Sequence, residues 1–539
     1  MRRAAAIAAA LALAGCQVDL EGARCNTPGE PKECPDGQAC GNDLKCSTRA
    51  AGCVASKTLC TPAATQEASP RRCRTDRAAI ETCTGADPVC GSWAVVKQAD
   101  GCSTTGLVCS GASPACVCDT PATEIQVDLA SSSDPNLAPT GAAEPQACRF
   151  KRLGDALAYA RDVWLPAHSS APVTVKAAGT PAPGTPVRFD TEAFPLVIPN
   201  GVTLATSATV SSPADWIVSA PFATVSNLVE IHDGAVVDGF TLSSTAATGD
   251  GIVVQCGAGA TAPATLRNVV VDGGGTLARG VVVTGACELV GVQLDVSRAR
   301  KAGLYVNTAS APAGAAVTGG SLKGNGESGA EVAGGRLAIA GSGALFDVSA
   351  NGRHGVRAVP DPVAPPLIPR AITLSLDRVD VHANGEVGIL VRDLAGGSSA
   401  SVTSSVIRKN LATAAFSQYG TGRLAGGVLL WGALPTQGAP PAAAFAFKGN
   451  TVCSNAGDAI GVYSNDPWPL NGDGCDATSN VFVSPSASGY YVFSTATTGV
   501  ELPAWNNWWD PDPVPPSRVM NAAVLPVCGQ AGAAPPACN

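Results

Sequence analysis

The chain has 539 residues, 45% of them hydrophobic, so it is long enough for several folded units and too apolar to be disordered throughout. Its 35 cationic side chains against 43 carboxylates give a formal net charge of −8, and with no basic stripe the composition excludes nucleic acid as the expected partner. Aromatics at 5% and charged residues at 14% are low while glycine reaches 60, a balance that suits short, tightly turned strands around a narrow core.

The N-terminus reads Met1-Arg2-Arg3, an apolar run over 4–14, then Gly15-Cys16. A basic start followed by an apolar stretch too short to span a bilayer is the pattern of an export signal. Leu13-Ala14-Gly15-Cys16 resembles the lipobox of bacterial lipoproteins. That resemblance implies a signal peptide over 1–15, acylation of Cys16, and a tether over 16–24 that joins the body to the lipid bilayer. Several acyl chains hold a protein firmly where one holds it only marginally. Gln17 follows the cysteine in place of an Asp, which directs the expectation to the outer membrane or cell surface.

Thirteen of the 21 cysteines lie between Cys25 and Cys118. Such density in an exported chain predicts a small disulfide-rich domain over 25–118, because a short segment cannot otherwise bury enough core. Zinc is a poor alternative, since the segment has neither CxxC pairs nor histidine. The odd count makes Cys148 the natural further partner. From 119 to 500 the pattern predicts a parallel β-helix, and 501–539 a C-terminal cap or tail.

Glu124-Ile-Gln-Val-Asp-Leu129 alternates as a strand, and Phe150, Leu153, Leu157 and Ala160 recur at helical spacing. A short helix there would cover the open end of a solenoid. Val173-Thr-Val-Lys176 and Glu192-Ala-Phe-Pro-Leu-Val-Ile-Pro-Asn-Gly201-Val-Thr-Leu204 follow. These segments resemble the opening coils of an uncharacterised family of bacterial β-helix lipoproteins, over about residues 124–205 and by repeat pattern towards 495. The resemblance implies fold and export and assigns no chemistry.

The strongest internal repeat is Leu322-Lys-Gly-Asn325-Gly-Glu-Ser-Gly329, Val348-Ser-Ala-Asn351-Gly-Arg-His-Gly355 and Val381-His-Ala-Asn384-Gly-Glu-Val-Gly388. Asn-Gly enters the left-handed region at least cost, so it is expected to turn the chain at one fixed point per coil. Gly251, Gly280, Gly303, Gly329, Gly355, Gly388, Gly427 and Gly461 mark successive coils, each followed by a short apolar alternation. The expected fold is thus all-β: a right-handed parallel β-helix of about ten coils with a short capping helix, preceded by the disulfide-rich domain. Cys256 and Cys287 fall at matching points of adjacent coils and should form a disulfide. Cys453 with Cys475 and Cys528 with Cys538 are further local pairs. Asn325, Asn351 and Asn384 are expected to stack as a buried amide ladder.

Counting back eight residues from the marker glycines gives an outward column of Asp272, Asp295, Ser321, Asp347 and Asp380. Asp347 and Asp380 would stand about 5 Å apart, near enough to share Ca²⁺ or to act as an acid and base pair. Arg353 is a further speculative catalytic group, although with Glu327 and Glu386 it reads more simply as a charge ladder. His354 and His382 stand on different registers and are expected neither to pair nor to bind metal. Lys323 and Arg408 are lyase-type cations with no evident partner. The tail tryptophans Trp505, Trp508 and Trp509 are expected to pack over the open end rather than on sugar rings. Pectinase-type, phosphate-loop, GxSxG and HExxH signatures are absent. The expected function is non-catalytic binding or adhesion at the cell envelope by a monomer, with a glycan or surface protein as partner and no cofactor other than the speculative Ca²⁺. A polysaccharide lyase or glycoside hydrolase acting through the Asp face is the alternative, and a structural envelope component the second.

Overall fold

The computed structural model describes residues 124–510 with gaps at loops between strands, together with short strands between 38 and 117 and between 519 and 523. Cys16, Cys475, Cys528, Cys538 and Trp505 lie outside the described residues. Two compact units emerge, one made chiefly of residues 1–122 and the other of 123–136, 149–165 and 170–539.

The described strands of the first unit are all antiparallel. Leu59–Cys60, Gly91–Ala94, Ile80–Thr84 and Arg71–Cys73 make a four-stranded sheet, and two separate hairpins set Cys40 opposite Cys46 and Cys109 opposite Cys116 in register. Cys83 is disulfide-bonded.

The second unit is built from parallel pairings throughout. Each coil lays down three strands, exemplified by His354–Ala358 in a first sheet, Ile372–Asp377 in a second and Val379–His382 in a third, before the next coil begins at Ile389–Arg392. This is the expected right-handed parallel β-helix, coiled in the sense that parallel crossovers adopt. Alternation sends every second residue inward. One inward column runs in unbroken register from Leu242 through Leu322, Val348 and Val381 to Phe482 and Trp509, each at most 3% exposed. Each such side chain contributes about 1.5–3 kcal/mol by leaving water.

The stack continues past residue 500. Trp508–Asp510 pairs with Val481–Val483, and Val519–Met520 with Val492–Ser494, so the segment expected to be only a cap supplies further rungs. Trp509 is core, stacked on Phe482 with centroids 4.5 Å apart. At the other end the helix is longer than expected, running Leu153–Tyr159, then a π-helical turn Ala160–Trp164, then Leu165–Ala167. Its first amides find a partner in the buried Glu192, whose carboxylate accepts from Leu153 N at 2.9 Å and Gly154 N at 3.0 Å. The Glu of the Glu-x-Phe-Pro-Leu segment therefore ties the capping helix to the first coils.

The glycine column is a matter of space. A Cβ on Gly251, Gly280 or Gly355 would lie 2.5 Å from the carbonyl of the next marker glycine. The column ends differently from expectation: Gly427 faces Ala459, and Gly461 pairs with Leu429, because a bulge between Ala425 and Val428 shifts the register. The left-handed residue is likewise not the Asn or the Gly that follows it. It is the residue before each Asn, namely Gly324, Ala350 and Ala383, with φ between 53° and 61°. The glycine after each Asn serves close approach instead, since a Cβ on Gly352 would sit 2.2 Å from Gly326 O.

Cys256 and Cys287 are joined by a disulfide across adjacent coils, with Cα atoms 5.4 Å apart. Cys453 is also disulfide-bonded.

Candidate functional site

Charged side chains cluster on the outward sides of the third sheet and of the first. On the third sheet, inward Phe346, Val348, Val379 and Val381 leave Asp347 and Asp380 pointing out, and the two aspartates are register partners. Asp295 and Ser321 precede them in the same column. Asp272 does not. It pairs with Ser297, while Val270 opposes Asp295, because the turn between Asp272 and Gly280 holds two more residues than its counterparts.

Lys323 and Arg408, the cations that had no evident partner, and His382 are two residues further along, on the same outward side. Lys323 Nζ lies 2.8 Å from Asp347, His382 Nε2 lies 3.3 Å from Asp347 and 3.9 Å from Asp380, and Arg408 donates to both oxygens of Asp380 at 3.1 and 2.9 Å. His382 thus stands between the two aspartates. Burial raises the Asp347 carboxyl, but hydrogen bonds from Lys323 and Ser349 outweigh it and hold the group below the ordinary carboxylate range. A carboxylate held ionised by its neighbours is a poor proton donor, and Ca²⁺ would have to displace Lys323 and Arg408 to reach the pair. Among the described residues no group of three or more His, Cys, Asp or Glu is placed to hold a metal ion. The array is a ladder of alternating charge that ties coils together.

Arg353 belongs elsewhere. It lines a cleft of ≈ 400 Å³ on the outward side of the first sheet, whose wall is built from Arg279, Tyr305, Glu331, Arg357, Asp361 and Arg392. Tyr305, Glu331, Arg357 and Leu390 are successive register partners, one from each coil. Position two after the marker glycine is therefore the column that faces the cleft.

The cleft is densely bonded. Arg279 stacks over the Tyr305 ring at 4.2 Å, and Arg392 over Trp431 at 4.8 Å. Asn307 Nδ2 donates to the Tyr305 hydroxyl at 3.1 Å and to Asp361 at 3.2 Å, while the Tyr305 hydroxyl lies 3.3 Å from Asp361. Arg357 pairs with Glu331, and Arg353 with the buried Glu386 at 3.0 Å. Burial pushes the Glu331 carboxyl up, with Glu327 and Asp361 adding to the rise against Arg357. Burial likewise raises Tyr305.

His354, 3% exposed at the cleft floor, is held neutral: burial first, then Arg353 and Arg357, lower it from 6.5 to about 3. Glu386 Oε2 is 3.7 Å from its Nδ1, but Arg353 already engages that carboxylate. Between pH 6.5 and about 3 the unfolded chain takes up a proton here that the native state refuses, so stability falls as pH falls through this window. The folding equilibrium should lose up to about tenfold per pH unit from this one group. Urea unfolding at pH 7 and pH 5 should show His354→Gln losing correspondingly less stability than the parent chain over that interval. Equal losses in both would contradict the assignment.

Parallel sheets wound into one solenoid, with charge ladders and a cleft on its outer wall, define a parallel β-helix protein. No family model matches the chain, and no curated protein matches it. Among solved structures it is similar to the A-module of mannuronan C-5 epimerase AlgE4 from Azotobacter vinelandii, at 14% identity and TM-score 0.38, covering 68% of this chain and 97% of that one. The A-module of AlgE6 from the same organism is similar at 14% identity and TM-score 0.33, covering 63% and 91%. Tailspike protein 3 of bacteriophage CBA120 is similar at 12% identity and TM-score 0.32, covering 74% and 62%. Likeness at these identities concerns the fold alone.

Proposed function

We propose that the protein is an exported envelope lipoprotein, related to the uncharacterised β-helix lipoproteins it resembles, whose solenoid binds a glycan without transforming it. The observation that carries this reading is the cleft on the first sheet, where a half-buried tyrosine, arginines and carboxylates converge in a volume of ≈ 400 Å³. Hydroxyl-rich ligands need fixed donors and acceptors, and Tyr305, Asn307, Asp361 and Arg279 supply both.

A protein partner is less well served. Large hydrophobics exposed among the described residues are scattered, at Val292, Leu345 and Leu411, and form no contiguous patch of the kind that protein interfaces use. The aspartates of the third sheet are occupied by Lys323, His382 and Arg408, which favours binding over acid and base chemistry there.

Glycan-array screening of the full mature chain should give binding to a restricted class of polysaccharide, reduced at least about tenfold in Tyr305→Ala. Turnover of a bound glycan that is lost in Asp380→Asn would overturn the reading in favour of an enzyme on the third sheet. For the anchor, Cys16→Ala should move the protein from the membrane to the soluble fraction and abolish incorporation of labelled fatty acid. Unchanged partitioning would remove the lipoprotein part of the proposal.

A further inference from the structure

We propose that the cleft on the first sheet recognises an uncharged chain of N-acetylated hexosamines, with an acetamido group seated on Val359 between Arg357 and Asp361. This rests on the reading of the cleft as a glycan site and names the ligand's class. The charges of the cleft are closed within the chain: Arg279 faces Asp250, Arg353 pairs with Glu386, Arg357 with Glu331 and Arg392 with Asp393. Glu327 and Asp361 stand beside these pairs and hold off an anionic ligand. A cationic one is opposed as well. Asp361 is bonded to Asn307, which takes Arg370 at 2.6 Å, and to the Tyr305 hydroxyl, whose ring lies under Arg279. Burying a charge that finds no partner of its own costs far more than burying an uncharged polar group, so a neutral ligand is favoured.

Neutralised pairs still offer hydrogen bonds. Arg353 and Arg392 engage their carboxylates through Nε, and Arg357 does so through Nη1, so each guanidinium keeps further N–H groups as donors. Asp361 meets both Tyr305 and Asn307 through Oδ2 alone, which leaves Oδ1 to accept. A bulge at Asn307, which sets it opposite Gly334 while Val306 opposes Val332, brings that amide to the Asp361 carboxylate.

The order of residues along one strand gives the ligand its functional group. Beyond His354–Ala358 the chain keeps its alternation: Val359 N donates to Val332 O at 3.1 Å and Asp361 N to Ala333 O at 2.8 Å. Ala358 and Pro360 are buried, while Arg357, Val359 and Asp361 line the cleft. Successive members of that row stand about 6.6 Å apart and read donor, apolar, acceptor. A trans amide presents the complement, since its C=O and N–H point in opposite directions with a methyl group beside them. The apolar seat is continuous below, where Val359 packs against the buried cluster of Val387, Leu390 and Leu429. A hydroxyl in place of the acetamido group would set a polar group on that apolar surface.

Calorimetric titration of the full mature chain in detergent compares three probes of equal length and linkage: a chito-oligosaccharide, its fully de-N-acetylated amine and a cello-oligosaccharide. The acetylated oligomer should bind at least about tenfold tighter than either of the others, with an affinity that changes little as salt rises. Asp361→Ala should remove about tenfold of that affinity, and Val359→Thr, which keeps the shape of the seat and so its fold, about fourfold. Arg408→Gln on the third sheet should leave it unchanged. Equal binding of the cello-oligosaccharide, lost in Tyr305→Ala, would overturn the acetamido seat while leaving the glycan reading in place. Undiminished binding in Val359→Thr would do the same. Tighter binding of the amine, fading as salt rises, would overturn the uncharged class. Binding of none of the three would overturn the inference, and a silent glycan array besides would remove the reading beneath it.

Discussion

Replacing Asn384 by Ala is expected to lower the stability of the β-helix by about 3–5 kcal/mol, because several buried polar groups lose their partners at once. Asn384 Oδ1 accepts from both the backbone N and the side-chain Nδ2 of Asn351, at 3.1 and 2.9 Å. Its own Nδ2 donates to Asn410 Oδ1 at 2.9 Å and to Val348 O at 3.2 Å. Every hydrogen-bonding position of this amide is used, in a site with no exposure at all. The Ala variant orphans two donors on Asn351 and removes the side-chain donor to the Val348 carbonyl. Asn384→Asp should be at least as harmful, since a carboxylate has nothing to donate to Asn410. Asn325→Ala gives the internal contrast: it heads the ladder and its Oδ1 accepts only from Ala299 N at 3.1 Å, so the expected cost is about 1–3 kcal/mol. Urea unfolding followed by far-ultraviolet circular dichroism measures the difference. Equal midpoints for Asn325→Ala and Asn384→Ala would contradict this account of the ladder.

Gly352→Ala is expected to cost about 3 kcal/mol through steric conflict alone. The added methyl would lie 2.2 Å from Gly326 O and 2.9 Å from its carbonyl carbon. Neither is the end of a flexible side chain, and Gly352 N is itself fixed to Asn325 O at 2.7 Å, so the coils must part for the methyl to fit. Gly385 stands over Gly352 in the same way, which spreads the displacement to the next coil. Gly257→Ala, where a Cβ meets nothing within 4 Å, serves as the control and should change the melting temperature little. Comparable losses in both variants would show that backbone entropy rather than coil spacing sets the role of these glycines.

Much of the scaffold was legible in the chain because its signals are locked to one another. The three Asn-Gly copies revealed a ladder, and the structure carries it on through Asn410 and Asn455, with a second ladder of Asn450, Asn480 and Asn507 on another corner. Those later copies lack the following Gly or stand after long insertions, so the motif alone did not announce them. Cys256 and Cys287 gave the register of two coils directly.

What failed to show was whatever depended on turn length. Two extra residues before Gly280 displaced Asp272 from the aspartate column, and a bulge before Val428 displaced Gly461 from the glycine column. The cleft was missed for a different reason. Its column of Tyr305, Glu331, Arg357 and Leu390 shares no residue type from coil to coil, and an outward position without a common chemistry carries no repeat to detect. Like residues at Asp347 and Asp380 mark the third sheet, although their partners Lys323, His382 and Arg408 stand two residues further along in plain alternation.

Hydroxyl-radical footprinting of the full mature chain, with and without the polysaccharide that glycan-array screening selects, puts the two faces in direct competition. Protection of Tyr305 and Trp431 with His382 unchanged is the result expected from a ligand on the first sheet. Protection of His382 with Tyr305 unchanged would place the ligand on the aspartate ladder and contradict the account.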